Sequence, residues 1–492
     1  MIDTQFELEK VTPKPINPSN TQHPFPPFYS LPLNRNFASW WDLDKKDVMD
    51  FQKDFAKFGR RLWYAHFNAG HSIVDVVDIA ASNLINEPES QRTNRNNRWD
   101  PSCNAYIAVA ATRLSLQFLP SSSLAKALAK ALVKDHMATC VYVSPKLDIM
   151  IAEYVSDPVI ALAANYLSID SQYDFSWETV LPRLIDKIKQ GQVIEQSYRG
   201  ELVARVLLSM AWDDCCVKDD FVCSSIRPVS VQTFLTNLGG AKLIKKMKKS
   251  KISETNLERL LNGYVFFTHF LPVTYSVKEQ DLRNCFARSA AMIIKRGEVA
   301  IDLIIPILLK DNKMSYISVQ VNNYSRECEP TKDLILENDK LSLMQDVPYL
   351  ATVMNLGQQS RQQALQGPSA FQVENVFEAS QSSSLYSCRK LKLLAPKSTD
   401  ISKEPLAENH TSEIPSLGTL IVLNGLNENT FPFIAKKSER SKLSNMTSLA
   451  ELAACWADPI TYVKKTKPFN TRRSIQSWFK HSYDWNDKET WK

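Results

Sequence analysis

Two short runs between Gly297 and Tyr324, GEVAIDLIIPILLKDNKMSYISVQVNNY, restrict what this chain can fold into more than any other part of it. From Ala300 to Leu309 the residues are almost continuously apolar and β-branched, as in a central strand covered on both faces. The exception is one acid, Asp302, near the start of the run. From Tyr316 to Val321, residues Tyr316, Ser318 and Gln320 alternate with Ile317, Val319 and Val321, which puts the two sets on opposite faces of a strand. A charged turn joins the two runs, so they are expected to pair as a hairpin. An acid on one strand can then meet a polar residue on its neighbour, the arrangement in which a metal-dependent hydrolase holds its ligands.

Residues 1–38 are proline-rich and read as an extended lead segment, and 39–194 read as a mainly α-helical domain. Apolar residues at three- and four-residue spacing predict helices over Asp47–Tyr64, Ile73–Ile85, Ala105–Phe118, Ser123–Asp135 and Trp177–Lys189. Asp157 and Pro158 predict the start of another, and ATCVYVSP a short strand. His66 and His71 match no metal-ligand spacing, and the polar, basic run at 91–101 reads as a solvated loop. Arg199–Asp213, RGELVARVLLSMAWD, predicts an apolar helix with Glu201 in its first turn, where an acid favours the helix dipole and lies four residues before Arg205.

A basic run, KLIKKMKKSK at 242–251, suits either a solvated face or a phosphate contact. Asn262–Tyr275 reads as a strand or buried segment and Lys278–Arg296 as one helix with Leu282, Phe286, Ala290 and Ile293 inward. YLATVMNL (349–356) and GTLIVLNGL (418–426) predict further strands on either side of a polar, serine-rich insert at 357–416. Residues 431–492 read as a C-terminal helical segment.

The 492 residues can bury a large core, and a net charge of +6 permits a nucleic-acid partner without indicating one. No GxxxxGK[ST] or GxGxxG occurs among only 12 glycines, which argues against a Walker-type ATPase or a Rossmann dehydrogenase. The nine cysteines lack paired CxxC spacing and read as reduced, structural thiols. No signal pattern opens the chain and no apolar run reaches the about 18 residues that span a bilayer. The expectation is therefore no membrane and an intracellular location, cytoplasmic or nuclear.

RGELVARVLLSMAWD, CFARSAAMIIKRGEVAIDLIIPILL and SYISVQVNNY together resemble the core of the PD-(D/E)XK, or restriction-endonuclease-like, nuclease superfamily, in particular its divergent fungal effector-like or repeat-associated members. The likeness covers about residues 195–430. It implies an α/β fold, a mixed sheet flanked by helices, behind the helical domain. It also implies metal-assisted phosphodiester hydrolysis, in which a strand aspartate, a helix acid and a second acid hold Mg²⁺ and a lysine two residues beyond the second acid orients water. Carried onto this chain, Asp302 matches the strand aspartate, Glu201 the helix acid, Gln320 the second acid and Asn322 the lysine. Gln320 keeps a carbonyl oxygen without the charge that Mg²⁺ prefers, and Asn322 brings no cation to the reacting phosphate. Lys295, Lys310 and Lys313 are the candidates to replace that cation.

Two functions follow from the resemblance. One is a weak or lapsed Mg²⁺-dependent nuclease contacting DNA or RNA. The other is a catalytically inactive module that keeps the nuclease fold and binds a protein partner. From the residues alone, Asp302 also reads as a strand-end acid paired with Arg288 or Arg296.

Overall fold

The computed structural model describes residues 55–88, 101–118, 123–143, 150–154, 156–169, 174–190, 199–216, 227–250, 253–273, 277–294, 301–322, 347–356, 371–375, 418–435 and 445–455. The proline-rich lead, nearly all of the basic loop at 91–101, Lys295, Arg296, most of the serine-rich insert and the end of the C-terminal helical segment lie outside the described residues.

Helices dominate the first part: α1 (Arg61–Asn68), α2 (Ile73–Ile85), α3 (Cys103–Leu114), α4 (Ser123–Asp135), α5 (Pro158–Ile169) and α6 (Trp177–Lys189). A small antiparallel sheet interrupts them, with β3 (Met150–Glu153) between β1 (Gln117–Phe118) and β2 (Thr139–Val143). Helix starts follow their polar caps. Ser72 and Asp75 form a capping box on α2, and Asp157 accepts the Ile160 amide at the start of α5. The helix read over Asp47–Tyr64 is broken at Gly59, whose φ of +77° a side chain resists and where an added Cβ would meet the Asp157 carboxylate.

Next comes α7 (Arg199–Cys216), buried along its length from Gly200 to Asp213, as an all-round apolar helix must be. After it the chain builds a nine-stranded mixed sheet: β4 (Val229–Ser230), α8 (Val231–Lys249), α9 (Glu254–Leu261), β5 (Tyr264–Val265), β6 (His269–Val273), α10 (Glu279–Ala287), β7 (Ala290–Ile294), β8 (Leu303–Leu308), β9 (Met314–Asn322), β10 (Tyr349–Asn355), β11 (Phe371–Asn375) and β12 (Gly418–Asn424). A 3₁₀ turn at Pro432–Ala435 and α11 (Asn445–Cys455) follow.

Along the sheet the order is β11-β12-β10-β9-β8-β5-β4, with β7 also on β8 and β6 on β7. β9, β10 and β12 run parallel; β8 and β9 form the expected antiparallel hairpin. On its other side β8 pairs with β7 near its start and β5 near its end, and Pro306 falls in the gap between them, where a missing amide leaves no ladder bond broken. Ile317 and Val319 of β9, Thr352 of β10 and Ile421 and Leu423 of β12 face Leu208 of α7 and Phe234, Leu235 and Leu238 of α8. The result is a curled mixed sheet flanked by helices, and its core runs without interruption from Phe55 to Leu452.

One local reading is corrected and one is completed. Lys278–Arg296 is α10 followed by β7, because Ser289 takes φ +50° after Arg288 ends the helix and the run AAMII pairs in parallel with β6. The region holding the basic run 242–251, for which no element was predicted, forms the long helix α8, kinked at Gly240 (φ 75°, ψ 171°). Among the described residues no helix is long and apolar enough to cross a membrane.

Candidate functional site

Asp302 stands immediately before β8, where its backbone still belongs to the sheet. Its amide donates to Val319 O (2.9 Å) and its carbonyl accepts from Ile294 N (2.8 Å). The carboxylate Oδ2 then accepts the Val321 amide at 2.7 Å. The side chain thereby adds one more bond to the β8–β9 ladder and is held at the edge of the sheet, beside the carboxyl end of β9. The parallel strands β10 and β12 end on the same side, the position at which open α/β sheets place ligands.

Glu201, in the buried first turn of α7, comes close enough to repel this carboxylate. Burial first, and the Glu201 charge second, push the Asp302 carboxyl up to about 7, against the pull of the Val321 amide. Among the described residues no positive charge pulls the Asp302 carboxyl back down. Neither arginine suggested for Asp302 supplies it among the described residues: Arg288 bonds Ser156 through Nε (3.1 Å) and lies over Phe58, and Arg296 is outside them. Lys310 and Lys313 are exposed in the β8–β9 turn, at the opposite end of a six-residue strand about 20 Å long, so neither replaces the missing cation.

Gln320 follows Val319, the residue paired with Leu303 at the start of β8, and the Asp302 amide bonds Val319 O rather than Gln320. It alternates with Val319 and Val321 and so belongs to the face turned away from α7. Glu201 on α7 is thus brought beside Asp302, while Gln320 lies on the opposite face of the sheet. Asn322 is drawn off in another direction. Its Nδ2 donates to Asn355 Oδ1 (3.1 Å), and Asn355 Nδ2 donates to Asn424 Oδ1 (2.8 Å), a row of three amides in register across β9, β10 and β12. Asn355 and Asn424 were missed from sequence, although the signal was present: SYISVQVN, YLATVMN and GTLIVLN all end an apolar strand on asparagine. Beyond β12, Gly425 takes φ +81° and Asn427 accepts the Asn429 and Thr430 amides, folding the loop back over the strand end.

Other polar clusters are structural. Asp213 of α7 accepts Arg113 through both guanidinium nitrogens (2.7 and 2.6 Å), Asn165 Nδ2 (2.5 Å) and Trp177 Nε1 (2.8 Å), tying the helical layer to α7. Ser156 and His269 pair at 2.9 Å, a geometry that invites a nucleophile reading. Both are fully enclosed, burial with help from Arg288 holds the imidazole down to about 3, and Thr268 rather than an acid occupies its other nitrogen. Burial likewise pushes the Cys285 thiol up to about 12. His66 and His71 pack edge to face, and His71 lies near Asp75.

Among the described residues no three His, Cys, Asp or Glu side chains group as a metal site. The two mutually repelling carboxylates nonetheless suit a Mg²⁺ ion, which is held by one or two carboxylates and keeps several waters. The sequence model of a family described as a domain of unknown function, DUF8736, matches residues 102–356. No curated protein and no solved structure matches the chain.

Proposed function

The chain belongs to the DUF8736 family, and from the charge balance at the end of its sheet we propose that it is a nuclease-like protein with a weak Mg²⁺-dependent phosphodiesterase site that contacts nucleic acid. One observation carries this reading: a sheet-anchored aspartate, Asp302, is held beside a second acid, Glu201, and both burial and that like charge raise its carboxyl. Groups perturbed in this way by burial and a like charge cluster at functional sites. The restriction-endonuclease-like relationship belongs to the same proposal and is supported by the order helix acid, strand aspartate, hairpin neighbour with Gln320.

In that site a bound Mg²⁺ would supply charge to the phosphate and lower the pKa of an attacking water. Asp302 would hold it from the end of β8 and Glu201 from α7, with water rather than the opposite-facing Gln320 filling the remaining positions. The Val321 amide fixes the Asp302 carboxylate, so its orientation does not depend on the ligand. Asn322 cannot donate a positive charge to the reacting phosphate and is committed to Asn355, which accounts for a slow reaction.

The amide row favours a second reading, an inactive module that keeps the fold and binds a protein. The two separate on one experiment, Mg²⁺- or Mn²⁺-dependent cleavage of DNA and RNA by the purified protein and by Asp302→Ala. Cleavage lost in the variant supports the first reading; no cleavage by either, or equal cleavage by both, removes it.

A further inference from the structure

Between Asp220 and Glu254, residues 221–253, the sequence contains no acid, yet it carries Arg227 and six lysines. Five of these, Lys242, Lys245, Lys246, Lys248 and Lys249, lie in the second half of α8. Leu243, Ile244 and Met247 bury the inner face of that half, so four of the lysines are exposed and Lys246 half-buried on the outer one. No ion pair to Lys242, Lys245, Lys248 or Lys249 occurs among the described residues. The dipole at the helix C-terminus accounts for one or two lysines in the last turn, and it does not account for the two that precede them.

The kink fixes where this ridge sits. α8 starts beside β5, where Val231 N bonds Gly263 O, and crosses the sheet until Leu243 meets Ile421 and Leu423 of β12. Gly240 lies against Pro432, just past Thr430, whose hydroxyl bonds Asn424 O at the end of β12. The lysines therefore begin next to the same end of the sheet as Asp302, three strand spacings or about 14 Å along it. They extend about 10 Å along the helix, the length of about three phosphates at 3.4 Å each.

We propose that the lysine ridge of α8 binds the phosphate backbone of a nucleic-acid duplex whose scissile part lies at Asp302. A duplex fits better than a single strand because 241–251 holds no aromatic side chain on which unpaired bases could stack. This rests on the nuclease-like reading and goes beyond it by naming where the duplex is gripped.

The test is anisotropy of a labelled mixed-sequence duplex with the full chain, titrated over a range of salt, for wild type, Lys245→Gln/Lys248→Gln/Lys249→Gln, and Asp302→Asn. The triple variant should lose affinity with a log–log salt slope shallower by about 2 to 3, so that raising salt from about 50 to about 200 mM weakens it some 40-fold less than wild type. Asp302→Asn should keep the full slope. Equal slopes in wild type and triple variant overturn the ridge while leaving the cleavage assay to judge the site. A wild type that binds no duplex overturns the ridge as well, whatever that assay shows. Loss of binding to anionic vesicles alone, with duplex binding intact, would assign the lysines to a membrane surface and overturn it too. The thermal midpoint of the triple variant should stay at the wild-type value, since these side chains are exposed.

Discussion

Asp213 and Asp302 are the same side chain treated in two ways. Asp213 is enclosed and receives four hydrogen bonds, two of them from the Arg113 guanidinium. Asp302 receives one, from a backbone amide, and has an acid for a neighbour. Burial raises both carboxyls, but Arg113, Trp177 and Asn165 pull Asp213 back, whereas Glu201 pushes Asp302 further. A buried charge whose partners are all built into the chain holds the chain together. One whose partner is missing has room for a ligand of opposite charge.

The comparison breaks most visibly at Arg113. Arg113→Met leaves the Asp213 carboxylate buried with only neutral donors, and stability should fall by about 3–5 kcal/mol in denaturant melts. A loss below about 1 kcal/mol would mean that Asp213 is not charge-paired in the way its geometry indicates.

The opposite sign is expected at Asp302. Its folded-state value lies above the ordinary carboxylate range, so between about pH 4 and 7 the folded chain holds a proton that the unfolded chain releases. Stability from this group is complete below about pH 4 and lost as pH rises through about 7. Asp302→Asn keeps an oxygen for the Val321 amide and removes the repulsion. It should stabilise the protein on the order of 2–4 kcal/mol at pH 8 and by almost nothing near pH 4. A variant less stable than wild type at pH 8 would show that Asp302 is already neutralised.

Mg²⁺ should do for wild type what the substitution does for the variant. At pH 8 and 100-fold over its dissociation constant the ion should raise stability by about 2.7 kcal/mol, with the gain shrinking toward pH 5 as protons compete for Asp302. Asp302→Asn should gain little. An equal rise in both proteins, followed by calorimetry, would place any Mg²⁺ elsewhere.

What the sequence disclosed follows the range of the forces involved. The β8–β9 hairpin, β10, β12 and most helices were legible because periodicity and local turns determine them. The pairing of the two runs as an antiparallel hairpin was legible for the same reason, but Asp302 bonds Val319 and Val321 rather than Gln320. Lys278–Arg296 was misread because Leu282, Phe286, Ala290 and Ile293 keep helical spacing straight through the boundary; only the distant pairing of Ala290–Ile294 with β6 turns the end of that run into a strand. Gly239 and Gly240 broke the helical pattern of α8, and burial of Phe234, Leu235, Leu238 and Leu243 overrides them. The amide row joins residues over 100 positions apart: each strand's closing asparagine is visible in the sequence, but only the long-range parallel register of β9, β10 and β12 aligns them.

Asn322 is the residue at which the two regions can be made more alike. Asn322→Lys removes the bond to Asn355 and leaves Asn355 Oδ1 open to solvent on a half-buried side chain, so a stability loss of only about 1 kcal/mol is expected. It also places an ammonium two residues beyond Gln320 on the same face, at the end of the strand that Asp302 caps. The lysine stem is long enough to reach the strand end, and a cation there offsets the Asp302–Glu201 repulsion, so the fall in stability should be smaller at pH 8 than at pH 5. If the site is a nuclease site short of one cation, Asn322→Lys should cleave a duplex faster than wild type in Mg²⁺, and the gain should vanish with Asp302→Asn in the same chain. A variant that folds, loses the expected 1 kcal/mol and cleaves no faster would place the amide row with Asp213, as a device that holds strands together.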